Sequence, residues 1–322
     1  MQRRSFALGA CAAALAPGLA RAAAPEWPSR PLRLMVGFPA GSTPDIIARA
    51  IAEPLGQALG QTVIVDNRSG ASGNIAADLV AKASDGHTLG IVINGNLSSA
   101  KLLYPKLPYD PDKDFCYISL LATAPLVLAA PLDAPEGAAF FAKARAEGER
   151  WNYGSVGIGS VAHLGMELLK SRVAGMNPVH VPYSGNPAVV VALINGQIQM
   201  ALIPPGLALP QVKAGKLRAI GVTSQGRSVL APDLPPLSAL GVKDFELEVW
   251  DALVGPASLP APAQARLAAA VAAIMQQPQV RQNLFAQGWQ AVGTSPEGLA
   301  RRIRQESALL GGIIRAQHIQ LE

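Results

Sequence analysis

Residues 32–59, LRLMVGFPAGSTPDIIARAIAEPLGQAL, read as a strand, a short turn of Gly, Ser and Thr, and a helix with a well-specified start. Units of this kind recur along the chain, and the recurrence constrains the fold more than any other feature. Leu32 to Phe38 is an apolar, strand-like run. Thr43 is placed to cap the helix, and Pro44 falls at the first helical position, where its missing N–H costs nothing. Asp45 sits in the first turn, where the helix dipole favours an acid. Apolar residues then repeat at Ile46, Ile47, Ala50, Ile51 and Leu55. A strand is expected at 62–66, a helix near 75–83, and a strand at 88–93 that ends in the polar turn Asn94-Gly95-Asn96. A second series follows Pro131: a helix over 137–150, a strand at 152–155, a helix over 161–172, a strand at 179–183, a helix to Asn195, and strands at 198–203 and 217–223. Beyond Pro260 the pattern becomes helical, over 262–276, 279–287 and 296–316, with Thr294 and Ser295 capping the last. Such alternation predicts an α/β fold of mainly parallel sheets flanked by helices.

The N-terminus has a basic start at Arg3 and Arg4, an apolar stretch from Phe6 to Ala20, and small residues afterwards. That layout predicts a cleavable signal peptide over 1–22, with Ala20 and Ala22 meeting the A-x-A rule. Arg3-Arg4-Ser5-Phe6 with Leu8 also resembles a twin-arginine signal, and the general secretory reading stands beside it. Removing the signal's three arginines leaves 24 basic residues against 22 acidic ones, so the net charge falls from +5 to +2. The basic balance is therefore partly a targeting feature and makes no case for nucleic acid. Cys116 is then the last cysteine, which leaves no internal disulfide. The nearest approach to a long apolar run, 118–132, is short and holds two prolines. The expectation is an exported, soluble chain of about 300 residues in two lobes.

Open α/β sheets bind ligands at the carboxyl ends of their strands. That directs attention to the turns at 39–43, 67–73, 94–99, 155–160, 184–187 and 204–206. Ser42 and Thr43 open one helix. Ser155, Gly157, Gly159 and Ser160 form a small-residue loop that opens another. Each is an anion-ready helix N-terminus needing no Arg or Lys. Gly157-x-Gly159-x-x-Ala162 also fits a dinucleotide fingerprint, but that motif expects an acid about 20 residues on. Residues 168–232 contain no Asp or Glu, which rejects it. The same stretch carries Lys170, Arg172, Lys213, Lys216, Arg218 and Arg227, a bias that would attract small anions. Ser160 and His163 share a helix face and could serve nucleophilic catalysis. Neither serine lies in G-x-S-x-G, and no carboxylate stands out as an orienting third member.

Several segments, in one order, resemble the Bug family, the periplasmic solute-binding receptors of tripartite tricarboxylate transporters. They are WPSRPLRLMVGFPAGSTPDIIAR, GQTVIVDNRSGASGNIAAD, ASDGHTLGIV, YPKLPYDPDKDF, NYGSVGIGSVAHLGMEL, VHVPYSG, AGKLRAIGVTSQGRS and the helix start at Pro296-Glu297-Gly298. The resemblance implies a two-lobed type II periplasmic-binding-protein fold. Lobe 1 would hold residues 25–123 and 247–322, and lobe 2 residues 124–246. A small mono-, di- or tricarboxylate would lie between them, for delivery to permease subunits in the membrane. The family's ligand contacts carry over onto Phe38, Gly41, Ser42, Thr43, Asn94, Ser155, Gly159, Ser160 and His163. The resemblance implies a periplasmic monomer that is not an enzyme and needs no cofactor or metal. The alternative is a secreted hydrolase or transferase using Ser160 and His163. Two departures stand out. The first loop reads AGSTP where the family has PGGST. The segment ALIPPG lacks the acid that many members place after the 198–203 strand, which points to a ligand without an amine.

Overall fold

The computed structural model describes residues 27–317 and residue 319, so the expected signal segment lies outside it. The elements of the first half are β1 (Leu32–Val36), α1 (Thr43–Leu59), β2 (Val63–Asn67), α2 (Asn74–Ala81), β3 (Thr88–Ile93), α3 (Asn94–Ser98), α4 (Ala100–Leu103), β4 (Phe115–Pro125), β5 (Val127–Pro131) and α5 (Gly137–Glu147). The second half holds β6 (Asn152–Ser155), α6 (Val161–Arg172), β7 (Val179–Pro182), α7 (Asn186–Ile194), β8 (Met200–Ile203), α8 (Pro205–Lys213), β9 (Leu217–Val222), β10 (Glu248–Pro256), α9 (Ala261–Gln276), α10 (Pro278–Ala286), β11 (Gln290–Ala291) and α11 (Pro296–Ala316).

Two mixed sheets carry the architecture. One has six strands in the order β11-β4-β10-β3-β1-β2, and the other five in the order β7-β6-β8-β5-β9. β1 pairs parallel with β2 and β3, and β6 pairs parallel with β7 and β8. These parallel sets aim their carboxyl ends at the cleft between the sheets. The strands that link the sheets run antiparallel: β4 and β10 pair in the first, and β5 pairs with β8 and β9 in the second. The expected parallel character thus holds where βα units repeat and gives way at the crossovers.

The chain passes from one sheet to the other at Leu126 and again between Val222 and Leu247. Thr223 ties both passages. Its Oγ1 accepts from Leu126 N at 2.8 Å and donates to the Leu247 carbonyl at 2.6 Å. Its own backbone pairs with the same two residues, at 2.9 and 3.1 Å. α11 also spans the halves. Leu299 and Ile303 pack with β10 residues of the first sheet, whereas Leu310, Ile313 and Ile314 join the apolar cluster of the second. Burying that stripe on both sides is what holds the helix across the boundary.

Candidate ligand cleft

The start of α1 is built by Asp45. Its carboxylate accepts from Gly41 N at 2.9 Å, from Arg49 and from Asn67 Nδ2 at 3.0 Å. Burial alone would raise its pKa, but these donors together outweigh burial and hold it below the ordinary range. Gly41 adopts φ +78°, a left-handed turn, to reach this arrangement. The N-cap is Ser42, not Thr43, and Thr43 is the first helical residue. Asp45 occupies the third helical position and reaches back to the loop, so the cap hydroxyl is not needed for capping. Ser42 Oγ makes no hydrogen bond although the residue is 1% exposed. The first intrahelical bond is Ile46 N to Ser42 O, so the N–H groups of Thr43 and Asp45 have no acceptor within the helix.

The facing helix, α6, starts at Ser160. Its Oγ accepts from His163 N at 3.3 Å and donates to the Gly157 carbonyl at 2.7 Å. Gly159 N donates to His163 Nδ1 at 3.2 Å, so His163 is neutral with its proton on Nε2. Burial, and then the charge of Lys170, lowers the His163 pKa to about 4. Beneath the loop His163 lies 4.3 Å, centroid to centroid, from His180, and His180 lies 4.9 Å from Tyr153. Ser155 Oγ is 2.7 Å from His180 Nε2. Ser155, Gly159 and His163 therefore shape the loop from behind.

The first half meets this loop through three hydroxyl donors. Ser99 Oγ donates to the Gly159 carbonyl at 2.7 Å, and Ser72 Oγ and Tyr104 OH each donate to the Ile158 carbonyl at 3.1 Å. Gly157 (φ +122°) is required here twice over, because a Cβ on it would fall 2.1 Å from Ser72 Oγ. The halves are thus closed on each other. They leave a cavity of about 30 Å³ lined by Phe38, Ser42, Thr43, Pro44, Ile93, Asn94, Leu126, Val156, Ser160, Val161, Ala162, Asn186, Leu202, Pro204 and Val249.

Of the residues expected from sequence, Phe38, Ser42, Thr43, Asn94 and Ser160 line the cavity together. Gly41, Ser155, Gly159 and His163 stand behind it as described. The lining contains no Lys or Arg. Lys170 instead pairs with Glu167 at 3.0 Å, and Arg218 pairs with Glu136. Ser160 receives the backbone N–H of His163, not its imidazole, and the ring nitrogen Nδ1 is occupied by Gly159, so this pair lacks the hydroxyl–base contact of an activated nucleophile.

The sequence matches TctC, described as the tripartite tricarboxylate transporter family receptor, over residues 47–319. The chain belongs to the TctC receptor family. A UPF0065 protein from the tcbD-tcbE intergenic region of Pseudomonas sp. (strain P51) is 35% identical over 285 residues, 87% of this chain and 84% of its own. The solved structure of R. palustris Rpa4515 with adipate is 31% identical, covers 92% of this chain and 100% of its own, and has a TM-score of 0.88. MatC from Rhodopseudomonas palustris, solved with bound malate, is 31% identical over 89% of this chain and 100% of its own, with a TM-score of 0.84. The fold is that of a two-lobed periplasmic binding protein.

Two residues of this TctC receptor were not singled out in the sequence, although Asn186 lies in the candidate turn 184–187. Asn186 opens α7 at the cleft and lines the cavity. Glu306 on α11 is 7% exposed and receives Asn94 Nδ2 at 2.7 Å. It also receives Trp250 Nε1 and faces Arg302 Nε at 3.6 Å. Burial raises the Glu306 pKa to about 7, against the lowering effect of these donors. The signal for Glu306 was present: it stands at a stripe position between Ile303 and Leu310, where an acid must have a partner.

Proposed function

We propose that this TctC receptor captures a small carboxylate between its lobes and delivers it to the membrane permease of a tripartite tricarboxylate transporter, with no chemical turnover. The observation that carries the reading is the cavity between two opposed helix starts, where the buried Ser42 hydroxyl lacks a partner and no cationic side chain intrudes. Uncharged backbone N–H groups and hydroxyls at helix N-termini hold an anion without locking it to a point charge, which suits capture followed by release. The adipate and malate in the two solved relatives support a carboxylate ligand. The expected signal segment, residues 1–22, supports work in the periplasm. The reading includes a monomer without cofactor or metal, and lobes at 25–123 with 247–322 and at 124–246. To this division α11 is an exception, because its last turns pack on the second lobe.

The test is calorimetric titration of the exported protein with a panel of mono-, di- and tricarboxylates, alongside Ser42→Ala. Ser42 makes no cap bond, so alanine there should leave folding stability nearly unchanged. It should cost about 1–3 kcal/mol of carboxylate affinity, the range for leaving a charged acceptor one donor short. Unchanged affinity would remove the Ser42 hydroxyl from the site. Product formed from a bound acid would return the hydrolase alternative.

A further inference from the structure

Asn94 is fully buried at the cavity wall, and its amide cannot choose which end to show. Nδ2 donates to Glu306 Oε1 at 2.7 Å and to the Glu248 carbonyl at 3.3 Å. A backbone carbonyl only accepts, whatever the protonation state of Glu306, so the nitrogen and not the oxygen must face that side. Glu306 is itself fixed by Trp250 Nε1, by Ser98 Oγ at 3.4 Å and by Arg302. What the amide has left is Oδ1, buried and without a hydrogen-bond partner.

Resting on the carboxylate reading above, we infer that Asn94, oriented by Glu306, offers the ligand a fixed acceptor. The ligand is therefore a carboxylate that bears a hydrogen-bond donor on its carbon skeleton, a hydroxyl or an ammonium. The helix starts supply donors and so match carboxylate oxygens. An acceptor is the wrong partner for those oxygens and the right one for O–H or N–H. An unsubstituted acid would leave Oδ1 desolvated and unpaired, and buried acceptors left in that state are what make such sites discriminate. The missing acid in ALIPPG disfavours one route to an amine, but Asn94 enters from the other lobe and serves either donor.

The experiment titrates the exported protein with matched sets of equal chain length: succinate, malate and aspartate; glutarate, 2-hydroxyglutarate and glutamate; adipate, 2-hydroxyadipate and 2-aminoadipate. Within the set that fits the cavity, a donor-bearing member should bind about tenfold or more tighter than its parent diacid. Preference for the hydroxy acid or for the amino acid tells the two sources of the donor apart. In Asn94→Ala the preference should fall to within about twofold while the parent diacid still binds. If that variant does not fold, the ratios in the unaltered protein decide alone. A parent diacid that binds as tightly as its substituted partners overturns the inference and leaves carboxylate capture standing. A preference that survives in Asn94→Ala also overturns it. If no member of any set binds, carboxylate capture itself fails.

Discussion

Asp251 is the least comfortable residue in the fold. It is fully buried on β10, and neither carboxyl oxygen has a hydrogen-bond partner. Its cross-strand partner is Ile93, and Val249 lies two residues along the same face; both line the cavity. Burial raises its pKa well above 3.8, which favours the neutral acid in the fold. The unfolded chain ionises it above that value. Its contribution to stability is therefore complete at low pH and is lost as pH rises from about 3.8 towards the folded pKa. Asp251→Val should stabilise the protein by about 1–3 kcal/mol at pH 7, by removing an unpaired polar group from a strand. The gain should widen between pH 4 and pH 7 in urea unfolding. His163 and His180, held down to about 4 and 3 chiefly by burial, have the opposite sign and lose stability as pH falls below 6.5. Both are retained in the variant, so the difference isolates Asp251, and a flat gap across that range would show that it is ionised in the fold. Polar residues at strand-to-helix turns, such as Ser42, Asn94 and Ser160, are legible in sequence because local pattern places them. Asp251 is not, because its environment is set by strands far away in the chain, and for Glu306 the stripe position shows that a partner is needed but not that the partner is Asn94.

The crossovers are the elements on which a hinge motion depends, and Thr223 joins them. Replacing it by Val keeps the shape and removes the hydroxyl. The Leu126 N–H loses its acceptor and the Leu247 carbonyl loses a donor. The expected cost is about 1–3 kcal/mol for each orphaned group, read as a lower urea midpoint at unchanged slope. An unfolding free energy within about 0.5 kcal/mol of the parent would mean that backbone pairing alone holds the joint. These crossovers were also the hardest elements to read from sequence. β3, β6, α6 and α11 match the expected bounds, because period and caps agree there: Ser295 Oγ accepts from Gly298 N at 3.2 Å, as its position predicts. β4, β5 and β10 left no such trace. The run from Ile118 to Leu132 is apolar without alternation, since a strand buried on both faces has no polar side to show. The polar turn after β3 proved to be a helical turn, α3, held by Asn96, whose Oδ1 accepts from Ile93 N at 3.3 Å.

For the whole molecule, the closed cleft poses a problem of access. The halves are bonded to each other through the 158–159 loop, so they must part for loading. The bonds to part are few and local: the three hydroxyl donors from Ser72, Ser99 and Tyr104 to the Ile158 and Gly159 carbonyls. Water replaces such bonds at small net cost, about 0.5–1.5 kcal/mol each. The joint at Thr223 and the last turns of α11 stay in place as the pivot. A ligand that spans both helix starts binds the closed form better and shifts the population towards it. At a concentration 100 times Kd it should also raise stability by about 2.7 kcal/mol. Closure then gives a permease a shape that differs between loaded and empty receptor. Small-angle scattering with and without a saturating carboxylate is the measurement. The radius of gyration should shrink on loading, and Ser99→Ala, which removes one closing bond, should shift the unloaded protein towards the open form. A radius that does not change while calorimetry shows the site full would mean that the cleft is a rigid pocket reshaped only by its side chains.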